Sequence, residues 1–115
     1  MAVLNNGIVN VQDLLAGETT GKKYTHIAIG TSDTPVTGSE TALTGQVNKT
    51  IDSFNVFAGG FIQFNATLLS GDPAMTIKEM GLLNEDGVLT HRVVVTPANK
   101  VVGVTYALAY KIKIS

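Results

Sequence analysis

Val102-Gly103-Val104-Thr105-Tyr106-Ala107-Leu108-Ala109-Tyr110-Lys111-Ile112-Lys113-Ile114 carries an apolar side chain at every second position. Successive side chains of a strand point to opposite faces, so a period of two sustained this long predicts a β-strand with one face in a core. The intervening positions, Gly103, Thr105, Ala107, Ala109, Lys111 and Lys113, are small or cationic, which suits a second surface lying close to the other face.

Working outward, the same alternation recurs from Ile62 to Leu68, between the Gly59-Gly60 break and the turn Ser70-Gly71-Asp72-Pro73. Strands expected at Ile77 to Leu83 and Val88 to Val95 flank Asn84-Glu85-Asp86-Gly87, whose glycine can supply the positive φ of a tight hairpin loop. Tyr24 to Ile29 reads as a further strand. Val47 to Phe57 reads as another, but its apolar parity changes between Ile51 and Phe54. One strand cannot turn both sets inward, so a bulge or bend is expected there. Phe54, Phe57, Phe61 and Phe64 all fall in strand patterns that suit a core.

Only Val11 to Ala16 has a helical pattern, with Asn10 as a cap, Asp13 in the first turn and Gly17 as terminator; a short strand is the competing reading. The expected fold is all-β: an antiparallel β-sandwich, jelly-roll or immunoglobulin-like in kind, with at most one short N-terminal helix. The organisation is one domain over residues 1–115, with an N-terminal arm or short helix at 1–20 and a long polar loop at 30–45. A loop of that length in a compact domain is functional or mobile as a rule, and here it could reach a neighbour.

At 115 residues the chain can bury roughly two thirds of its unfolded surface around one core. Cysteine and tryptophan are absent, which excludes disulfides, thiolate metal sites and thiol nucleophiles. The net charge of −1 and the scattered lysines offer no footprint for nucleic acid. Charged residues make up 15% of the chain, against about 25% in a typical soluble domain. A surface of Thr, Ser, Asn, Gly and Ala suits burial between subunits, so a homo-oligomer is expected. Met1 to Gly7 lack the basic start and apolar run of a signal peptide, and no segment has membrane-spanning length, so a soluble chain made in a cytoplasm is expected, without a membrane partner.

Catalytic chemistry finds no constellation. Gly17-Glu18-Thr19-Thr20-Gly21-Lys22-Lys23 resembles a phosphate-binding loop, but it is one residue short between its glycines and has Lys where Ser or Thr should hold magnesium. His26 and His91 each lie in an expected strand without a second ligand at metal spacing, and Arg92 beside His91 disfavours an imidazolium. The five aspartates sit mostly in turn contexts. Asn84, Glu85 and Asp86 offer oxygens in a loop far too short for a dedicated calcium site. Ser32, Ser39, Ser53 and Ser70 lack the glycines of a nucleophile elbow. No catalytic, cofactor-binding or metal-binding residue is therefore assigned. Tyr24 and Tyr110 are the side chains left to stack on a glycan, the basis of an alternative reading as a carbohydrate-binding adhesion module.

The order of segments resembles a known group. Tyr24-Thr25-His26-Ile27-Ala28-Ile29-Gly30-Thr31, a polar loop containing Pro35, then Glu40-Thr41-Ala42-Leu43, is similar to the opening of the N-terminal, particle-proximal domain of tailed-phage tail-collar fibre proteins. Ile77-Lys78-Glu79-Met80-Gly81-Leu82-Leu83, Asp86-Gly87 and Leu89-Thr90-His91-Arg92 resemble that group's I-x-E-x-G-L-hydrophobic, D-G, L-x-x-R signature. Val104 to Ile114 is similar to its terminal strand. The resemblance covers Tyr24 to Ser115, with Gly7 to Gly17 a looser match. Read physically, Gly81 permits a bulge or close backbone approach, and Glu79 and Arg92 could pair across the hairpin as a surface ion pair contributing about 0.2–1 kcal/mol.

The resemblance implies a structural protein of a tailed-phage virion, made in the host bacterial cytoplasm. Fibre proteins continue into a shaft and receptor-binding tip, whereas this chain stops at Ser115 as its last strand ends. The expectation is thus a non-enzymatic decoration or adaptor subunit on capsid, collar or tail, forming a trimer or another ring and touching other particle proteins. Its candidate contact residues are Thr31, Ser32, Asp33, Thr34, Pro35 and Val36 of the polar loop, with Leu43 and Tyr110.

Overall fold

A computed structural model describes residues 2–19 and 21–113. In chain order the elements are β1 (Ala2–Val3), α1 (Asn5–Ala16), β2 (Tyr24–Gly30), β3 (Val47–Thr50), β4 (Ser53–Phe57), β5 (Phe61–Leu68), β6 (Met75–Asn84), β7 (Leu89–Lys100) and β8 (Tyr106–Lys113). They form a five-stranded sheet in the order β1-β7-β6-β2-β3 and a three-stranded sheet in the order β4-β5-β8, with every pairing antiparallel. Two antiparallel sheets and, among the described residues, one short helix make the all-β sandwich that the sequence patterns predict. The strand order differs from the immunoglobulin arrangement, in which the first two strands are neighbours; here β1 pairs with β7.

Alternation accounts for the core. Ile27 and Ile29 of β2, Ile77 and Leu82 of β6, Phe64, Ala66 and Leu68 of β5, and Leu108, Tyr110 and Ile112 of β8 bury their side chains between the sheets. A second, smaller cluster of Leu4, Ala28, Leu43, Leu83 and Leu89 lies apart from it. Ala28 alternates with Ile27 and Ile29, so this cluster is on the outer face of the five-stranded sheet, beneath α1 and the loop that follows β2.

The parity change at Ile51 proves to be a corner between sheets. The Ile51 N–H donates to the Thr25 carbonyl at 2.9 Å in one sheet, and the next N–H, of Asp52, donates to Asn65 at 2.7 Å in the other. β3 and β4 therefore belong to different layers, which accounts for the change of parity.

The terminal alternation is a strand only from Tyr106, which pairs with Leu68 at the end of β5. Before it, Gly103 takes φ 94° in a turn and donates its N–H to Ser70, so Val102 and Val104 stay exposed. Ile114 lies outside the described residues, as does Thr20. In the other direction β7 runs past Val95 to Lys100, through Pro97. β1 covers β7 only at His91 and Arg92, so Pro97 sits where no outer neighbour needs its missing donor.

The helix begins earlier than Val11, and Asn10 does not cap it. Leu4, fully buried, occupies the cap position without a side-chain bond, and the Asn5 N–H is satisfied by the Gly38 carbonyl at 2.7 Å. Tertiary contacts thus fix the start of α1, while Gly17 at φ 74° ends it as expected. Gly7 makes the docking possible, since a Cβ there would stand 2.0 Å from the Thr90 carbonyl oxygen of β7. Asn10 is instead a buried hub. Its amide donates to Lys22 O at 2.8 Å and accepts from Lys22 N at 2.9 Å and from Asn84 Nδ2 at 3.2 Å.

Candidate functional site

The polar segment between Gly30 and Val47 has no regular structure but is held down. Glu79, 1% exposed, points outward from β6 into the loop. Its Oε2 accepts the Ser32 N–H at 2.9 Å and the Thr44 N–H at 3.0 Å, one from each end of the segment, and its Oε1 accepts Arg92 Nε at 2.7 Å. Arg92, 3% exposed on β7, continues to Glu40 Oε2 at 3.3 Å and the Ser32 carbonyl at 3.5 Å. This is a buried ionic network and not the surface pair expected, because the loop lies over it. With every partner hydrogen-bonded, it fixes geometry more than it adds stability.

Glu40 organises the loop tip. A hydrogen bond from the Thr37 hydroxyl, reinforced by the Thr37 and Gly38 amides, holds its carboxyl down at about 2. Gly38 in turn caps α1 through Asn5, so tip, helix and sheet form one unit. Glycine is required where the loop leaves the sheet: a Cβ on Gly30 would stand 2.5 Å from Glu79 Oε2. At Gly81 a Cβ would stand 2.6 Å from the His91 carbonyl oxygen. Gly30, Glu40, Glu79, Gly81 and Arg92, from four segments of the chain, thus meet on one patch of the outer sheet face.

The proposed contact residues divide. Thr31, Asp33, Thr34 and Pro35 are exposed, Ser32 is half-buried by its bond to Glu79, and Val36 packs half-buried against the cluster containing Leu43. Leu43 is buried in this chain. Tyr110 is not on the surface at all: it belongs to the sandwich core, with its ring 6.4 Å from that of His91. Its place on β8 alternates with Lys111, so it must point inward. Tyr24 also packs inward, against Phe64 and His91 at 5.7 and 5.3 Å. Neither tyrosine offers a ring to a glycan.

His91 is held neutral by burial, its pKa lowered to about 4. Arg92 faces the opposite side of the sheet, so its guanidinium is not the cause. The hairpin residues shape their own turn, since Asn84 Oδ1 accepts the N–H groups of Asp86 and Val88, each at 3.0 Å, and Gly87 takes φ 77°. Among the described residues no group of three or more His, Cys, Asp or Glu side chains is placed to hold a metal ion.

What sequence patterns missed is the exposed apolar surface. α1 buries Gly7 and Asn10 against the sheet and turns Ile8, Val9 and Leu15 outward, Leu15 at 82% exposure. Phe54 and Val56 of β4 are 64% and 71% exposed, although they align with Phe64 and Ile62 on the core side of their sheet. β5 packs over β2 and β3, and β8 over β6, which leaves β4 overhanging the short β3 edge. Phe54 thus falls outside the core because nothing lies beneath that overhang, while Phe57, of opposite parity, points to the outer face of the small sheet with Phe61. Phe57 and Phe61 share the cation of Lys111, at 5.1 and 4.6 Å from the ring centres. The signal for the helix lay in Gly7-Ile8-Val9-Asn10, where the small and polar residues, not the apolar ones, mark the docked side.

Comparison of the chain with protein-family models, with curated proteins and with solved structures finds no match.

Proposed function

We propose that this chain is a non-enzymatic structural subunit of a tailed-phage particle, decorating or joining capsid, collar or tail through contacts with its own copies and with neighbouring particle proteins. The observation that carries the reading is the convergence at Glu79. Of the residues that the resemblance draws from separate stretches, Glu40, Glu79 and Arg92 share one hydrogen-bonded network that fastens a polar loop, and Gly30 and Gly81 border it closely.

The surface supports the same reading. An outward apolar helix face and an uncovered apolar strand are liabilities in a solitary protein and contacts in an assembly. Quantitative mass spectrometry of purified particles tests it: the chain is expected in a copy number matching a symmetry element of the particle, and its absence from mature particles would remove the proposal.

A further inference from the structure

Two sheets leave four edge strands, three of which carry a device against pairing, and the stretch of β7 that β1 leaves uncovered is interrupted by Pro97. β1 has two residues, β3 is short and carries Lys49, and β8 carries Lys111 and Lys113. β4, Ser53-Phe54-Asn55-Val56-Phe57, is fully exposed and has no charge, proline or glycine. An unguarded apolar edge is a template for another strand.

We infer that the occupant is β4 of a second copy, paired antiparallel about a two-fold axis through Asn55, so that two three-stranded sheets become one of six strands. This rests on the reading of the chain as an assembling subunit and names the partner of one of its faces. Three features select this partner. About Asn55 the strand complements itself: Phe54 falls opposite the partner's Val56 and Ser53 opposite the partner's Phe57, so apolar meets apolar on the core side and no like charges oppose. The overhang of β4 past β3 sets the joining edge beyond the five-stranded sheet of its own copy.

Area is the third feature. With about 150–250 Å² for a fully buried aromatic ring, the exposed parts of β4 supply roughly 400 Å² per copy, about half the share of a lasting two-protein interface. The contact therefore forms at high concentration, or where a particle holds copies side by side, and its effect multiplies there through effective concentration.

The chain has no cysteine, which makes the test direct. Directly opposed antiparallel residues have Cα atoms about 4.5–5.5 Å apart, within disulfide reach. Oxidised Asn55→Cys is expected to cross-link to a dimer, while Thr41→Cys, exposed on the polar loop, does not. By sedimentation equilibrium the unmodified chain shows a monomer–dimer equilibrium, and Val56→Lys weakens it at least tenfold with an unchanged thermal midpoint. Association without cross-linking of Asn55→Cys above the Thr41→Cys control overturns the strand pairing and leaves the assembly reading standing. A Val56→Lys chain that dimerises as tightly as its parent also overturns it, as does a monomer at millimolar concentration; particle mass spectrometry decides the broader reading separately.

Discussion

Replacing Glu79 with Ala deletes the carboxylate that fastens both ends of the polar loop to the sheet, leaving the Thr31–Thr44 backbone bond to join them to each other. It leaves Arg92, 3% exposed, with its Nε facing a void and only the longer contacts to Glu40 at 3.3 Å and the Ser32 carbonyl at 3.5 Å, and it orphans the Ser32 and Thr44 amides. Removing one member of a buried ion pair costs about 3–5 kcal/mol, since the remaining charge stays desolvated. Against a total stability of about 5–15 kcal/mol for a domain, that is a large fraction. With a urea slope of about 1–3 kcal/mol/M, a loss of about 4 kcal/mol moves the unfolding midpoint down by at least about 1 M. Hydrogen exchange should show the Ser32 and Thr44 amides losing protection while β5 and β8 keep theirs. The double replacement Glu79→Leu with Arg92→Met should recover part of the urea loss, because the buried guanidinium is no longer stranded although the Ser32 and Thr44 amides and Glu40 still lack their partners. A single variant within about 1 kcal/mol of the parent, with loop protection intact, would refute the claim that this pair fastens the loop.

Two further outcomes follow from the packing. His91 has a folded pKa of about 4 against 6.5 for the free side chain, so the unfolded chain binds the extra proton between these values. Stability is fully present above pH 6.5 and declines as the pH falls towards 4, by up to about 3 kcal/mol; urea titrations from pH 4 to 7 should show it, with a smaller slope in His91→Phe. Gly7→Ala puts a methyl group 2.0 Å from the Thr90 carbonyl oxygen, so α1 must lift from β7. Calorimetry should find a loss of about 1–3 kcal/mol despite the better helix propensity of Ala, and a stabilised variant would contradict the docking described.

The strands were legible where a single periodicity decides them. Ile62 to Leu68 and the hairpin around Asn84 to Gly87 stand where alternation and turn chemistry put them, because local pattern and global packing agree. The helix start was hidden. Asn6-Gly7 looks like a break, and only a sheet close enough to exclude a Cβ makes glycine an asset inside a helix. The extent of β8 was overread, since Val102 and Val104 continue the alternation but have no β5 residues left to pair with.

Glu79 and Arg92 were legible as partners but not as buried ones: their depth comes from the loop's position, and no residue spacing encodes it. Tyr110 illustrates the reverse. The exposure of Thr31, Asp33, Thr34 and Pro35 was legible in the polar loop, but the alternation that makes Lys111 solvent-facing commits Tyr110 to the interior. The overhang of β4 depends on how two sheets are offset, a tertiary quantity to which a strand's own alternation is blind.

An image of the intact particle at side-chain resolution tests the assembly claim most directly. Symmetry-related copies of this chain are expected in the particle, with the outward face of α1 and the β4 edge covered by other polypeptide. A particle lacking the chain, or copies whose Leu15, Phe54 and Val56 all face open solvent, would contradict it.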